Sequence, residues 1–94
     1  ETWLITGGAG FIGCNFVRLV LRATNANVVI LDKLTYAGSL DNLGDLLAET
    51  RITFIAGDIV DAAMLDAIFR DHHPTAVVNF AAESHVDRSI HDAR

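Results

Sequence analysis

Apolar and polar residues alternate in blocks along the chain. Four short runs of apolar residues, many of them β-branched, have the length of strands. The run at 27–31 is typical of a parallel strand that is buried on both faces. The four predicted strands are residues 2–6, 27–31, 52–56 and 75–80.

Amphipathic stretches separate the strands and predict three helices. Gly44 weakens the second helix, and Asp61 is placed to cap the third. The third helix is predicted to end at His72, His73 and Pro74. The resulting order, β-α-β-α-β-α-β and then the start of another helix, predicts an α/β fold with a parallel sheet and right-handed crossovers. The apolar positions at helical spacing are Ile12, Phe16, Leu19 and Val20, then Leu40, Leu43, Leu46 and Leu47, then Met64, Leu65, Ile68 and Phe69.

A glycine-rich segment joins the first strand to the first helix. Residues 8–13 match G-x-G-x-x-G, and Gly7, Gly10 and Gly13 also match G-x-x-G-x-x-G. Such glycines permit a tight turn and a close approach to a pyrophosphate, which the helix N-terminus then attracts. This context predicts the N-terminal portion of a Rossmann NAD-binding domain, a doubly wound parallel sheet. The alternative is a glycine-rich turn without a ligand.

An acidic residue ends the second strand. Asp32 lies nineteen positions after Gly13, where a carboxylate can accept hydrogen bonds from the adenosine ribose. It would repel a 2′-phosphate, so it favours NAD over NADP, although the neighbouring Lys33 could tolerate that phosphate. The alternative for Asp32 is a turn or cap aspartate.

Asp58 follows the third strand and allows two interpretations. It could accept a hydrogen bond from the adenine amino group, with Ile59 against the ring. Alternatively, Asp58 or Asp61 caps the third helix. Spacing alone leaves both open.

Composition excludes several classes of function. The chain has 94 residues, net charge −5 and scattered basic residues, so we expect one domain at most and no nucleic-acid partner. No apolar run reaches the length of a bilayer span, and we expect no membrane partner. The one cysteine, Cys14, suits a reducing compartment such as the cytoplasm and is expected to be a small buried side chain. His72 and His73 are interpreted as helix-end residues, and no metal is expected.

Three segments carry a family resemblance. Residues 6–13 resemble the cofactor loop of the extended short-chain dehydrogenase/reductases. Residues 32–43 and 81–90 are similar to segments of the dTDP-glucose 4,6-dehydratases within that group, many of which carry histidine where this chain has Asn79. The chain begins with Glu1 and not with methionine, and its last residues lie within a predicted helix. Residues 1–94 are therefore interpreted as the N-terminal part of the domain, without a substrate domain.

The resemblance implies a site along the carboxyl edge of the sheet. A nucleotide-sugar substrate would contact Ser84, His85 and Arg88, which also offer suitable donors in their own right, although a solvated loop is the alternative. The residues assigned to NAD, including the glycines and Asp32, are Gly7, Gly10, Phe11, Ile12, Gly13, Asp32, Lys33, Leu34, Thr35, Asp58, Ile59, Phe80, Ala81, Ala82 and Glu83.

The implied activity is that of a lyase in a homodimeric parent protein. NAD would store a hydride while dTDP-glucose loses water to become dTDP-4-keto-6-deoxyglucose. The family's Tyr-x-x-x-Lys motif and its Asp-Glu pair are absent from these residues, because Tyr36 is the only tyrosine and no lysine follows it. The chain alone is therefore predicted to bind at most, and not to catalyse. The alternatives are an NAD-dependent sugar-nucleotide epimerase or decarboxylase, and a non-catalytic dinucleotide-binding module.

Overall fold

The computed structural model describes residues 1–34 and 39–80. Within those ranges it contains four strands, three α-helices and one 3₁₀ helix, in the order β-α-β-α-3₁₀-β-α-β. The strands are β1 (Thr2–Thr6), β2 (Asn27–Asp32), β3 (Ile52–Ala56) and β4 (Ala76–Asn79). The helices are α1 (Phe11–Ala23), α2 (Ser39–Leu43), the 3₁₀ helix Gly44–Ala48 and α3 (Ala62–His72).

The strands form one parallel sheet in the order β3-β2-β1-β4. Thr6 at the end of β1 therefore lies between Leu31 of β2 and Asn79 of β4. This confirms the predicted α/β fold and its four strands. The order is that of the doubly wound Rossmann sheet, in which β4 begins the second half on the far side of β1.

Both faces of the central strands are buried, which explains why these strands are apolar at successive positions. Ile5, Val28 and Ile30 lie in a core cluster on the face that α1 and the 3₁₀ helix cover. Leu4 and Val29 lie in a second cluster on the other face, which α3 covers. Neighbouring residues alternate between the clusters because side chains in a strand alternate between faces.

Helix α1 packs through smaller residues than its apolar spacing predicts. Ile12 and Leu19 belong to the predicted stripe, but their side chains are 69% and 47% exposed. Small residues suit this contact because the glycine segment holds the helix close to the sheet. Cys14 is buried, as expected. The buried positions of α1 are Gly13, Cys14, Val17 and Val20.

The second and third helices differ from the prediction in detail. The predicted helix at 40–47 is divided: α2 ends at Leu43 and the 3₁₀ helix begins at Gly44, the weak helix former. Asp61 caps α3 as predicted, since its carboxylate accepts a hydrogen bond of 3.1 Å from the Met64 N–H. Phe69 belongs to the predicted apolar stripe of α3, but it is 45% exposed. The predicted fourth helix lies outside the described residues.

Candidate functional site

The candidate site lies where the strand order reverses. The chain leaves β1 for β2 on one side, whereas β4 joins β1 on the other side. Open α/β sheets bind ligands in the crevice that this reversal creates at the carboxyl ends of the strands. Thr6, the last residue of β1, is followed at this point by the glycine segment.

Two glycines of the segment are required by the geometry. Gly7 has a φ of 75°, in the left-handed region that favours glycine. A Cβ at Gly13 would overlap the Gly7 carbonyl oxygen and would lie 2.9 Å from the Gly8 Cα. Because these neighbours are backbone atoms, only glycine lets α1 approach the turn so closely.

The N-terminus of α1 faces the crevice without a capping side chain. Its N-cap residue is Gly10, in an extended conformation. The first turn holds no acidic residue, so the early N–H groups keep their positive potential. Phe11 and Ile12 are 73% and 69% exposed beside these donors. The arrangement can hold an anion and also offers apolar surface.

Asp32 has a structural role at the site. Its side chain is buried, and its Oδ2 accepts a hydrogen bond of 2.9 Å from the Ala9 N–H. Its Oδ1 accepts one of 2.8 Å from the Leu34 N–H. The carboxylate thus ties the glycine segment to the end of β2, which is the turn role that the sequence left as an alternative. A carboxylate oxygen can accept more than one hydrogen bond, so ribose binding is compatible with this role.

Lys33 and Asp58 form an ion pair between the ends of β2 and β3. The Lys33 Nζ lies 3.4 Å from the Asp58 Oδ2. The Asp58 Oδ1 accepts a hydrogen bond of 3.0 Å from the Val60 N–H. That hydrogen bond, with the Lys33 ammonium, lowers the pKa of the Asp58 carboxyl. Asp58 does not cap α3, because Asp61 does so.

The end of β4 is joined to β1 at the crevice. Thr6 Oγ1 donates a hydrogen bond of 2.5 Å to Asn79 Oδ1, and the Phe80 N–H donates one of 2.7 Å to the Thr6 carbonyl. The Phe80 ring packs against Phe16 of α1 at a centroid distance of 5.5 Å. These contacts close the β1–β4 edge beneath the glycine segment.

The described residues bring together most of the expected NAD residues. The glycine segment with Phe11 and Ile12 meets Asp32 directly, while Lys33 and Asp58 adjoin the same edge. Ile59 is partly buried beside Asp58. The remaining expected residues, which lie outside the described part, are Thr35, Ala81, Ala82, Glu83, Ser84, His85 and Arg88.

Residues 1–34 and 39–80 contain neither a helix that could span a membrane nor a cluster of metal-ligating side chains. No helix within residues 1–34 and 39–80 is both long and apolar enough for a membrane span. In those ranges, His, Cys, Asp and Glu side chains do not gather in threes as a metal site requires.

A known protein family matches nearly the whole chain. The family model for GDP-mannose 4,6 dehydratase matches residues 4–94. The chain belongs to this family. It is 55% identical to the dTDP-glucose 4,6-dehydratase of Xanthomonas campestris pv. campestris (strain B100) over 89 residues, which cover 95% of this chain and 25% of that protein. The chain thus spans about a quarter of the length of the curated relatives it matches.

Solved structures of family relatives share the fold of this chain. The dTDP-glucose 4,6-dehydratase of Bacillus anthracis, in complex with NAD, has a TM-score of 0.84 at 34% identity, covering 99% of this chain and 29% of that one. The enzyme of Streptomyces venezuelae with NAD bound has a TM-score of 0.80 at 47% identity, covering 97% and 29%. These findings confirm the resemblance and the Rossmann fold expected from the sequence.

The sequence pattern gives no indication of the role that Asn42 has beside the glycine segment. Asn42 Nδ2 donates a hydrogen bond of 2.9 Å to the Ala9 carbonyl, in the middle of the glycine segment. Asn42 lies within the 32–43 segment that carried the resemblance, but no local pattern indicates where its amide points. The contact depends on how α2 docks against α1.

Proposed function

We propose that this chain is the NAD-binding part of a longer lyase that removes water from dTDP-glucose to give dTDP-4-keto-6-deoxyglucose. The observation that carries the proposal is the approach of α1 to the β1 turn through Gly13, which places an uncapped helix N-terminus at the crevice. Membership of a dehydratase family and the NAD-bound relatives support the choice of cofactor.

The residues present fit NAD. The early N–H groups of α1 would hold the pyrophosphate, since the space beside them is free of Cβ atoms at Gly10. Asp32 would accept hydrogen bonds from the adenosine ribose, and Asp58 with Ile59 would face the adenine. Hydride acceptance and return at the sugar is the chemistry that NAD supplies when bound.

The remaining expected residues complete the proposal. Thr35, Phe80, Ala81, Ala82 and Glu83 would extend the cofactor site along the sheet. A nucleotide sugar would contact Ser84, His85 and Arg88. We further propose that the full-length protein is a cytoplasmic homodimer, which light scattering after size-exclusion chromatography would test.

Calorimetric titration of the full-length protein with NAD tests the cofactor. Gly10 has a φ of −73° and a ψ of 168°, which any residue adopts. Gly10→Val should therefore keep the far-UV circular dichroism of the wild type and lose NAD binding, because the branched side chain stands where the pyrophosphate approaches. A Gly10→Val protein that retains NAD would contradict the loop assignment.

Mass spectrometry of the product tests the reaction. Incubation of the full-length protein with dTDP-glucose should give a product lighter by one water. An epimerase would give a product of unchanged mass, and a non-catalytic module would leave the substrate as it was. Either outcome would reject the dehydratase proposal while leaving the cofactor titration valid.

A further inference from the structure

The peptide groups around Ala9 are held from two sides. Ala9 is completely buried, and its N–H donates to the Asp32 Oδ2 at 2.9 Å. Its carbonyl accepts from the Asn42 Nδ2, also at 2.9 Å. Asp32 ends β2 and Asn42 belongs to α2, so two separate elements fix the middle of the glycine segment. We refer to Asp32 and Asn42 with their two bonds to Ala9 as the Ala9 clamp.

The Asn42 side of the clamp controls where α1 begins. A peptide group is planar, so the direction of the Ala9 carbonyl also sets that of the Gly10 N–H. This N–H donates to the Gly7 carbonyl at 3.2 Å, the long end of the usual range. The Gly10 carbonyl in turn accepts the first helical hydrogen bond, from Cys14 at 2.8 Å. The amide of Asn42 therefore restrains a turn whose own hydrogen bond is weak.

Asn42 is itself held in place by α1. The Arg18 Nη2 donates to the Asn42 carbonyl at 3.1 Å and to the Asp45 Oδ1 at 2.8 Å. Arg18 thus docks the backbone of α2 against the helix whose N-terminus the Asn42 side chain restrains. The backbone contact and the side-chain contact of Asn42 can be removed separately.

We propose that Asn42 is a positioning residue for the phosphate-binding turn, acting on bound dinucleotide through the Ala9 carbonyl. The inference rests on the proposed function. Binding to a turn that is already ordered costs less conformational entropy. Without the Asn42 amide, the Ala9 carbonyl loses its buried donor and can turn its negative end toward the pyrophosphate. The affinity that Asn42 adds is therefore specific to the phosphate portion of a ligand.

Three ligands and three variants of the full-length protein test this. NAD, ADP and adenosine are titrated into wild type, Asn42→Ala, Asn42→Asp and the control Asp45→Asn. Asn42→Ala should weaken NAD and ADP by about tenfold, the scale of one lost hydrogen bond to a buried acceptor, and leave adenosine unchanged. Asp45→Asn removes the ion pair between Arg18 and the 3₁₀ helix but leaves the Ala9 clamp, so its affinities should match the wild type.

Asn42→Asp adds a pH readout. The substituted side chain keeps its volume, so this variant carries the test if Asn42→Ala does not fold. As a carboxylate it cannot donate to Ala9, and NAD should bind more weakly than to Asn42→Ala. As the pH falls and the carboxyl gains a proton, it can donate again, so the ratio of variant to wild-type Kd should shrink.

The outcomes separate the two levels of the proposal. Wild-type protein that binds no NAD would overturn the proposed function and this inference with it. Wild-type binding with an unchanged Asn42→Ala affinity would overturn the inference alone. Equal losses of adenosine and ADP affinity would also overturn it, because they would show a general structural effect.

Discussion

The Arg51 Nη2 donates a hydrogen bond of 2.6 Å to the carbonyl oxygen of Leu21 in the last turn of α1. The Nη1 of the same guanidinium donates to the carbonyls of Thr24 and Ala26, at 2.9 and 3.0 Å. A cation at this position also complements the negative end of the helix dipole. Arg51 therefore joins the end of α1 and the approach to β2 with the start of β3.

Replacing Arg51 should cost stability. Arg51→Met leaves three backbone carbonyls without their charged donor, and we expect the free energy of unfolding to fall by about 2 kcal/mol. Urea denaturation of the full-length protein measures it. Arg22→Met is the matched control, since Arg22 is an exposed cation in the last turn of the same helix. If both variants lowered the free energy of unfolding equally, Arg51 would stabilise the protein only through its charge beside the helix dipole, and not through its three hydrogen bonds.

Gly13 and Gly44 should respond oppositely to alanine. At Gly13 the new Cβ meets backbone that cannot yield, so Gly13→Ala should destabilise by about 1–3 kcal/mol. At Gly44 no atom lies within 4 Å of the new Cβ, and alanine should stabilise by about 0.5–1 kcal/mol because it reduces the entropy of the unfolded chain. Thermal melts of the two variants and the wild type measure these changes as shifts in melting temperature. A neutral Gly13→Ala would show that the turn can open to admit a methyl group.

The full-length protein should bind NAD about tenfold or more tightly than NADP, a difference of about 1.4 kcal/mol. Asp32 repels a 2′-phosphate, and the Asp58 carboxylate 3.4 Å from Lys33 already neutralises the nearby cation. Asp58→Asn should release Lys33 to attract the 2′-phosphate. The preference for NAD over NADP should then narrow by no more than about fivefold, since exposed ion pairs are weak. Lys33→Met should widen the preference for NAD, because it removes the nearby cation. Equal affinities for the two cofactors in the wild type would contradict the role of Asp32.

Acid should remove the stabilisation that Asp58 supplies. The Val60 N–H, and then Lys33, hold the pKa of the folded Asp58 carboxyl below its ordinary value. The unfolded chain therefore binds more protons between the two pKa values. The contribution is complete above the ordinary aspartate pKa and is lost as the pH falls through the folded-state pKa. The urea midpoint of the wild type should therefore exceed that of Asp58→Asn at neutral pH, and the two midpoints should converge in acid. A constant difference would contradict this linkage.

The strands were predictable because burial on both faces leaves an uninterrupted apolar signal. The bounds of β1 and β3 agree with the prediction, β2 extends one residue further to Asp32, and β4 is one residue shorter at each end. Capping by Asp61 was predictable for a similar reason, since its partner lies three residues away. Local physics decides these features.

The site was predictable only in part. The glycine spacing and Asp32 identify the turn, but the carboxylate's contact with Ala9 spans 23 residues and that of Asn42 spans 33. Neither has a periodic signal. The exposure of Ile12 also contradicts simple helical patterning, because this apolar residue in the first turn of α1 is exposed and does not pack in the core. Tertiary packing of the glycine segment, β2 and the helices determines these contacts, and a single sequence does not reveal that packing.

The position of β1 in the middle of the sheet has a consequence for how the protein is made. Of the four described strands, β1 is synthesised before the others, and β2 and β3 follow early enough to pair with the sheet while the chain is growing. The other edge of β1 must wait for β4, and the Thr6–Asn79 bond spans 73 residues. Such distant pairings are slow to form. A nascent chain that ends before β4 therefore has its phosphate-binding turn but only one wall of the crevice, so dinucleotide binding should begin only after Asn79 has left the ribosome.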